Sequence, residues 1–234
     1  TLLGGTSLSR MSWPSFFRRP RFRPLLAAGT AGMLALGVGA LWLGLGLARR
    51  DPPTLHRLTY RTGEIQAARL APDARSFVYS LRGAEQEGQL WLGRVEGLGA
   101  RSLELPSGTQ ILSIASTGEM ALLLNVVGDP AGSGILVPTG TLARAPLGGG
   151  APREILERVR SADWSPDGRQ LAVVRVDEKG RQRLEYPIGR TLFEAPEGHA
   201  IDFPKVSPKG DRAAFAEIVS AGNQALSVVD GKGQ

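Results

Sequence analysis

A hairpin signal that recurs four times constrains this chain more than any other feature. Its fullest copy is residues 161–177, SADWSPDGRQLAVVRVD. Trp164 leads into Ser165, Pro166, Asp167 and Gly168, and an apolar alternation through Leu171 and Val173 follows. Proline pre-sets φ for the second position of a β-turn, aspartate bonds nearby backbone amides, and glycine tolerates the exit conformation. The stretch therefore predicts strand, tight turn, strand. Aligning on Pro166 brings out three more copies. Pro72-Asp73-Ala74 precedes Phe77-Val78-Tyr79, and Ser116-Thr117-Gly118, with serine in place of proline, precedes residues 120–124. Ser207-Pro208-Lys209-Gly210 precedes Ala213-Ala214-Phe215. The aligned positions fall 44, 50 and 42 residues apart.

A period in the forties with a strand pair in each unit is the signature of β-propeller blades. Each unit also carries a later strand: Leu90-Trp91-Leu92, Leu142-Ala143-Arg144, Leu184-Glu185-Tyr186 and Leu226-Ser227-Val228. Residues 102–105, 153–156 and 191–194 add a fourth in three units. The expected class is all-β, a propeller of four-stranded blades with four repeats present in residues 56–234. Chance turns in an ordinary β-sandwich are the competing reading, and four ordered copies weigh against it.

The net charge of +6 invites a nucleic-acid reading until it is divided. Residues 1–50 hold seven arginines and no acid, whereas residues 51–234 hold 21 basic and 22 acidic side chains. The cations thus flank an apolar segment and do not cluster on the repeats, which argues against nucleic acid as a partner. There is no cysteine, which excludes thiolate catalysis, cysteine zinc sites and disulfides. The chain begins at Thr1 and stops in mid-repeat, so it reads as a fragment of a longer protein or as one starting at Met11.

Residues 1–23 read as a basic juxtamembrane tail, with Arg18, Arg19, Arg21 and Arg23 among Phe16, Phe17 and Phe22. Residues 24–48 contain no charge and one polar side chain, Thr30. Roughly 20 residues of helix cross a hydrocarbon core, so this segment is expected to span the bilayer. A cleaved signal peptide starting at Met11 is the rival, but its apolar region is usually only ~7–15 residues. Ala28/Gly32 and Ala40/Gly44 have the spacing of a helix-pairing face. Five arginines precede the segment and four follow it (Arg49, Arg50, Arg57, Arg61), a bias towards a cytoplasmic N-terminus and an extracytoplasmic propeller. Residues 49–55 form a proline-containing spacer, and residues 56–60 read as a strand. That strand would close a small four-bladed ring. The favoured expectation is instead a ring of six to eight blades with more repeats beyond Gln234. The longest unit owes its length to residues 128–140, whose Ile135-Leu136-Val137 are expected to tuck against the neighbouring blade.

The Ser-Pro-Asp-Gly hairpins resemble the WD-like propeller repeats of the TolB type. The run 140–156 (GTLARAPLGGGAPREIL), leading into 162–168 (ADWSPDG), resembles the C-terminal sensor region of bacterial membrane-bound serine/threonine protein kinases. Arg57-Leu58-Thr59-Tyr60 and residues 184–189 (LEYPIG) fit the same resemblance. It implies a propeller outside the inner membrane and a kinase domain before the helix, inside. The chain itself has no glycine-rich nucleotide loop, no His-Arg-Asp and no Asp-Phe-Gly; Asp202-Phe203-Pro204 only approaches the last.

The reactive inventory is thin. His56 and His199 are the two histidines, expected to be separate loop or surface groups. No Gly-x-Ser-x-Gly elbow supports a hydrolase partner domain within the chain, and the glycines at 148–150 lack the lysine of a phosphate loop. No catalytic residue, metal or cofactor is expected. Asp73 and Asp167 read as turn-formers before cation ligands. Just before the apolar anchor of each unit stand Arg69, Ser113, Asp163 and Lys205. This variable position faces solvent or a central channel where it would set ligand preference. The function these features point to is a membrane-anchored binding or sensor module for an unknown protein or small molecule. A propeller gating a hydrolase, or the periplasmic end of a transmembrane transcription regulator, are the alternatives.

Overall fold

The computed structural model describes residues 33, 36–42, 55–83, 88–97, 99–128, 138–220 and 222–233. The chain divides into two units, Thr1–Leu55 and His56–Gln234. In the first, residues 33 and 36–42 are helical. Among the described residues no helix is long and apolar enough to cross a membrane. Most of the expected span 24–48, the tail 1–23 and the spacer up to residue 54 lie outside the described residues. Leu36, Leu41 and Trp42 expose their side chains.

The second unit is a series of antiparallel strands. β1 (Glu64–Leu70), β2 (Ser76–Arg82), β3 (Gln89–Arg94) and β4 (Ala100–Ser102) form a first four-stranded blade in that order. A seven-stranded sheet follows: β5 (Gln110–Ile114), β6 (Glu119–Val127), β7 (Thr139–Pro146), β8 (Arg153–Trp164), β9 (Leu171–Val176), β10 (Gln182–Glu185) and β11 (Thr191–Glu194). It is two blades sharing one strand. The start of β8 pairs with β7 (Arg153 opposite Arg144, Leu156 opposite Leu142), and its end pairs with β9 (Trp164 opposite Leu171). The strand turns from one blade to the next at Arg158, whose φ is +60°. Its guanidinium fastens that bend to the Val176 and Asp177 carbonyls. β12 (Ala200–Val206), β13 (Arg212–Ser220) and β14 (Asn223–Asp230) make a fourth, three-stranded blade. Among the described strands none joins the fourth blade to the first.

The blades stack through their faces. Val78, Leu90, Met120, Leu122 and Ala143 form the layer between blades one and two. Leu123, Leu142, Val159, Trp164 and Val173 fill the next, and Val174, Leu184, Ile201, Ala213 and Phe215 the last. A second strand covered on both faces reads as a continuous apolar run. Hence β2, β6 and β9 each bury four or more consecutive residues. β13 instead alternates, with Ala213 and Phe215 fully buried and Ala214 and Ala216 half-buried, because one of its faces has no blade against it. The first strands lie innermost, β1 beside β5, β5 beside β8 and β8 beside β12.

Two expectations are corrected here. Residues 56–60 form no strand. Arg57 Nε donates to the Thr59 carbonyl two residues on, and the Thr59 hydroxyl lies 3.3 Å from the Tyr79 hydroxyl, which fastens the segment to blade one. It therefore closes no four-bladed ring. The expected strand 102–105 ends at Ser102, since Glu104 takes φ +51°. Of the long loop, residues 129–137, including Ile135-Leu136-Val137, lie outside the described residues. Gly140 belongs to β7, where a Cβ would sit 2.3 Å from the Leu124 carbonyl oxygen.

Candidate functional site

The hairpin turns share one design. The fourth motif position is left-handed in every blade: Ala74 (φ +54°), Gly118 (+80°), Gly168 (+68°) and Gly210 (+74°). Each closes its turn by donating its N–H to the carbonyl three residues back, on Ala71, Ala115, Ser165 and Ser207. Only Ala74 holds this conformation against its Cβ. Left-handed backbone costs an L-residue roughly 1–2 kcal/mol, so Ala74→Gly should raise the melting temperature slightly. Gly168→Ala should lower it by more, because the new Cβ would also meet Thr117 and Ser116 at 3.0–3.1 Å. Thermal denaturation of the two variants checks the opposite signs.

Pro72 and Pro208 occupy the second turn position, as Pro166 does. Ser116, which replaces proline in the second blade, donates its hydroxyl to the Pro166 carbonyl (2.9 Å) and so joins two neighbouring turns. Tyr186 reaches from the third blade to the Gly210 carbonyl (3.2 Å). Burial, and then the charge of Asp167, raises its phenol above the usual value. Asp73 accepts the N–H groups of Arg75 and Ser76, each at 2.8 Å. Asp167 accepts the Ser165 hydroxyl (2.5 Å), and Asp211 the Ser207 hydroxyl (2.8 Å). These aspartates are occupied as turn-formers. Among the described residues no group of three histidine, cysteine or acidic side chains is placed to hold a metal.

Those same bonds set an acid limit. The Ser76 and Arg75 amides hold Asp73 below the usual carboxylate range, the Ser165 hydroxyl and Arg169 amide hold Asp167 there, and the Ser207 hydroxyl does so for Asp211. A carboxyl depressed in the folded state contributes stability above its unfolded value, about 4, and loses it as pH falls through the folded value. The melting temperature should therefore drop progressively below about pH 4. Asn at 73, 167 and 211 together should flatten that dependence, which a pH series of melts measures.

Arg69, Ser113, Asp163 and Lys205 occupy one register slot, each opposite the second strand of its own blade. Arg69, Asp163 and Lys205 serve as stitches between adjacent inner strands. Arg69 Nε donates to the Leu112 carbonyl (2.6 Å) on β5. Asp163 on β8 accepts Lys205 Nζ (2.9 Å) and the Val206 N–H (3.0 Å) on β12. Ser113 is buried and its hydroxyl has no hydrogen-bond partner.

Each inner strand also carries a register shift one to three residues ahead of that slot, which was not read from the sequence: at Gln66, at Leu112, at Arg160 and at Phe203-Pro204. A bulge kinks a strand and re-aims the extra side chain. Arg160 so re-aimed meets Asp202 across the blade boundary, Nη2 to Oδ2 at 2.9 Å, with Arg160 buried and Asp202 partly buried. Its Nε and Nη1, like the Ser161 hydroxyl, lack partners. Asp202 also accepts the N–H of Phe203 (2.8 Å), a residue held at φ +53° with its ring exposed. A bulky residue in that region marks strain of order 1–3 kcal/mol. The one legible signal was Pro204, since proline inside a strand marks an edge or a bulge.

The reactive groups are paired. His199 Nδ1 lies 2.8 Å from Glu217 Oε1. Glu185, buried, accepts from Arg183 Nε (2.6 Å) and the Gly189 N–H (2.8 Å). Asp202-Phe203-Pro204, the near match to a kinase motif, is the bulge of β12.

With this geometry in view, similarities to known proteins bear on the fold. No family model matches the sequence, and no curated protein matches it. Among solved structures, TolB from Acinetobacter baumannii superposes with a TM-score of 0.53 at 15% identity, covering 71% of this chain and 41% of that one. Putative TolB from Agrobacterium tumefaciens gives 0.43 at 14% identity, over 73% of this chain and 78% of that one. The β-propeller domain of the Trilobed protease from Pyrococcus furiosus gives 0.47 at 14%, over 74% and 56%. The chain thus spans less than half of the A. baumannii protein. That superposition agrees with the strand order and identifies the repeats as propeller blades.

Proposed function

We propose that this chain is a binding module, a propeller segment held by residues 24–48 on the outer side of a bacterial inner membrane and serving as the sensor region of a receptor-type serine/threonine kinase. The observation that carries the binding role is the contrast between the turn slot and the inner-strand slot of Arg69, Ser113, Asp163 and Lys205. The turn slot with φ > 0 keeps glycine in three of four blades, as a purely structural job demands. The aligned inner-strand slot holds an arginine, a serine, an aspartate and a lysine. Varied chemistry at equivalent places on a repeated scaffold suits recognition, and the occupied His199 and Glu185 leave no nucleophile–base pair among the groups described above.

The anchor is supported by 25 uncharged residues and by the exposed apolar side chains of Leu36, Leu41 and Trp42. The kinase link is supported by the resemblance of the run 140–156. Alkaline carbonate washing of membranes tests the anchor: the full chain should stay in the pellet, and Leu36→Arg with Leu41→Arg should release it. Release of the unaltered chain would refute the anchor. The reading frame upstream of Thr1 tests the kinase link, which a stop codon ahead of Thr1 with no kinase domain between would remove.

A further inference from the structure

The turn from β9 to β10 and the connection from β11 to β12 border two hollows, of about 250 and 290 Å³, that share Arg181 and Glu197. They lie at the opposite end of β9 from its hairpin turn, and both walls, residues 177–183 and 194–199, fall wholly within the described residues. Gly180 and Gly198, each at φ +79°, let the two walls turn tightly. The Gly180 N–H reaches the Asp177 carbonyl (3.1 Å) and the His199 N–H that of Pro196 (3.0 Å).

Most charges around the hollows are already matched. Asp177 holds Arg181 (3.0 Å), Glu185 holds Arg183 (2.6 Å) and Glu217 holds His199 (2.8 Å). Among the described residues Glu194, Glu197 and Lys179 have no ion pair. Gln182 adds an unmet group of another kind. It is 6% exposed, and its Oε1 accepts the Ile201 N–H at 2.8 Å. That N–H requires the oxygen, so the amide nitrogen is the end left for the hollow that Gln182 lines. Nε2 has no partner among the described residues, and a donor on so buried a side chain calls for an acceptor.

The unmet groups are thus two carboxylates, one ammonium and one amide donor. Their complement is a molecule with two cationic groups and one carboxylate. We infer that the hollows bind a free basic α-amino acid. Its carboxylate is taken by Gln182 Nε2 and Lys179, and its α-ammonium and side-chain cation by Glu194 and Glu197. The site gives a ligand class to the proposed binding role and stands whether or not residues 24–48 anchor the chain. It lies apart from the slot of Arg69, Ser113, Asp163 and Lys205, so its failure would leave the argument from that slot intact.

Isothermal titration of the full chain in dodecyl maltoside with L-arginine tests it, and saturable binding is expected. Agmatine, N-acetyl-L-arginine and L-citrulline lack the carboxylate, the α-ammonium and the side-chain charge in turn. Each should bind at least about tenfold more weakly, as the loss of a charge-assisted bond predicts. Glu197→Gln, at an exposed position, should weaken L-arginine to the same degree. Gln182→Glu keeps an acceptor for the Ile201 N–H but sets a carboxylate against that of the ligand, and should abolish binding. Glu154→Gln, on β8, should change nothing. No saturable heat with L-arginine, L-citrulline binding as tightly, or Glu197→Gln binding like the parent overturns the site.

Discussion

Asp202→Ala should destabilise the protein by about 3–5 kcal/mol, the usual cost of stranding one partner of a buried ion pair. Asp202 is the acidic group paired with Arg160, and that guanidinium is 6% exposed on its side chain. Two of its nitrogens already lack partners, so removing Asp202 leaves a buried cation with nothing to balance it. The Phe203 N–H loses its acceptor as well. The double variant Arg160→Met with Asp202→Leu should recover most of the loss, because apolar groups of similar size remove the desolvation penalty with the charge. Denaturant unfolding of the three proteins measures both effects. A single variant as stable as the parent would mean that Arg160 reaches water, and the blade boundary would then be looser than described.

Phe215→Ala should cost about 3–5 kcal/mol for a different reason, the cavity left in a close-packed layer. Phe215 is fully buried and its ring lies 4.8 Å from that of Phe193. With Ile201, Leu184 and Val174 it forms the layer that carries blade four on blade three. Leu226→Ala on β14 should change stability little, since its side chain is 80% exposed. The contrast separates the covered face of blade four from its open one. Equal losses in the two variants would show that something covers Leu226.

The turns were legible because their chemistry is local: proline, aspartate and glycine act within four residues of chain. The second strands were legible because cover on both faces demands unbroken apolar runs such as those of β6 and β9. The inner-strand bulges were not, since one extra residue in Val159-Arg160-Ser161 leaves composition and alternation looking ordinary. Residues 56–60 misled for a related reason. Leu58 and Tyr60 alternate like a strand, but whether a partner edge receives them is a tertiary fact, and Thr59 and Arg61 dock on Tyr79 and Trp91 instead. The Arg160–Asp202 pair spans two blades, so no spacing announces it. The variable slot of Arg69, Ser113, Asp163 and Lys205 was visible in the alignment of repeats, and its role as a stitch appeared only once β8 and β12 lay side by side.

In the proposed orientation the propeller lies outside the inner membrane and the N-terminus inside, and the absence of cysteine makes that directly measurable. Lys209 sits exposed in the fourth turn, and Ser9 lies ahead of the apolar segment. Single Lys209→Cys and Ser9→Cys chains would be labelled in intact spheroplasts with a membrane-impermeant maleimide. Labelling at position 209 without lysis, and at position 9 only after it, is the predicted result. Labelling of position 209 only after lysis would contradict the account.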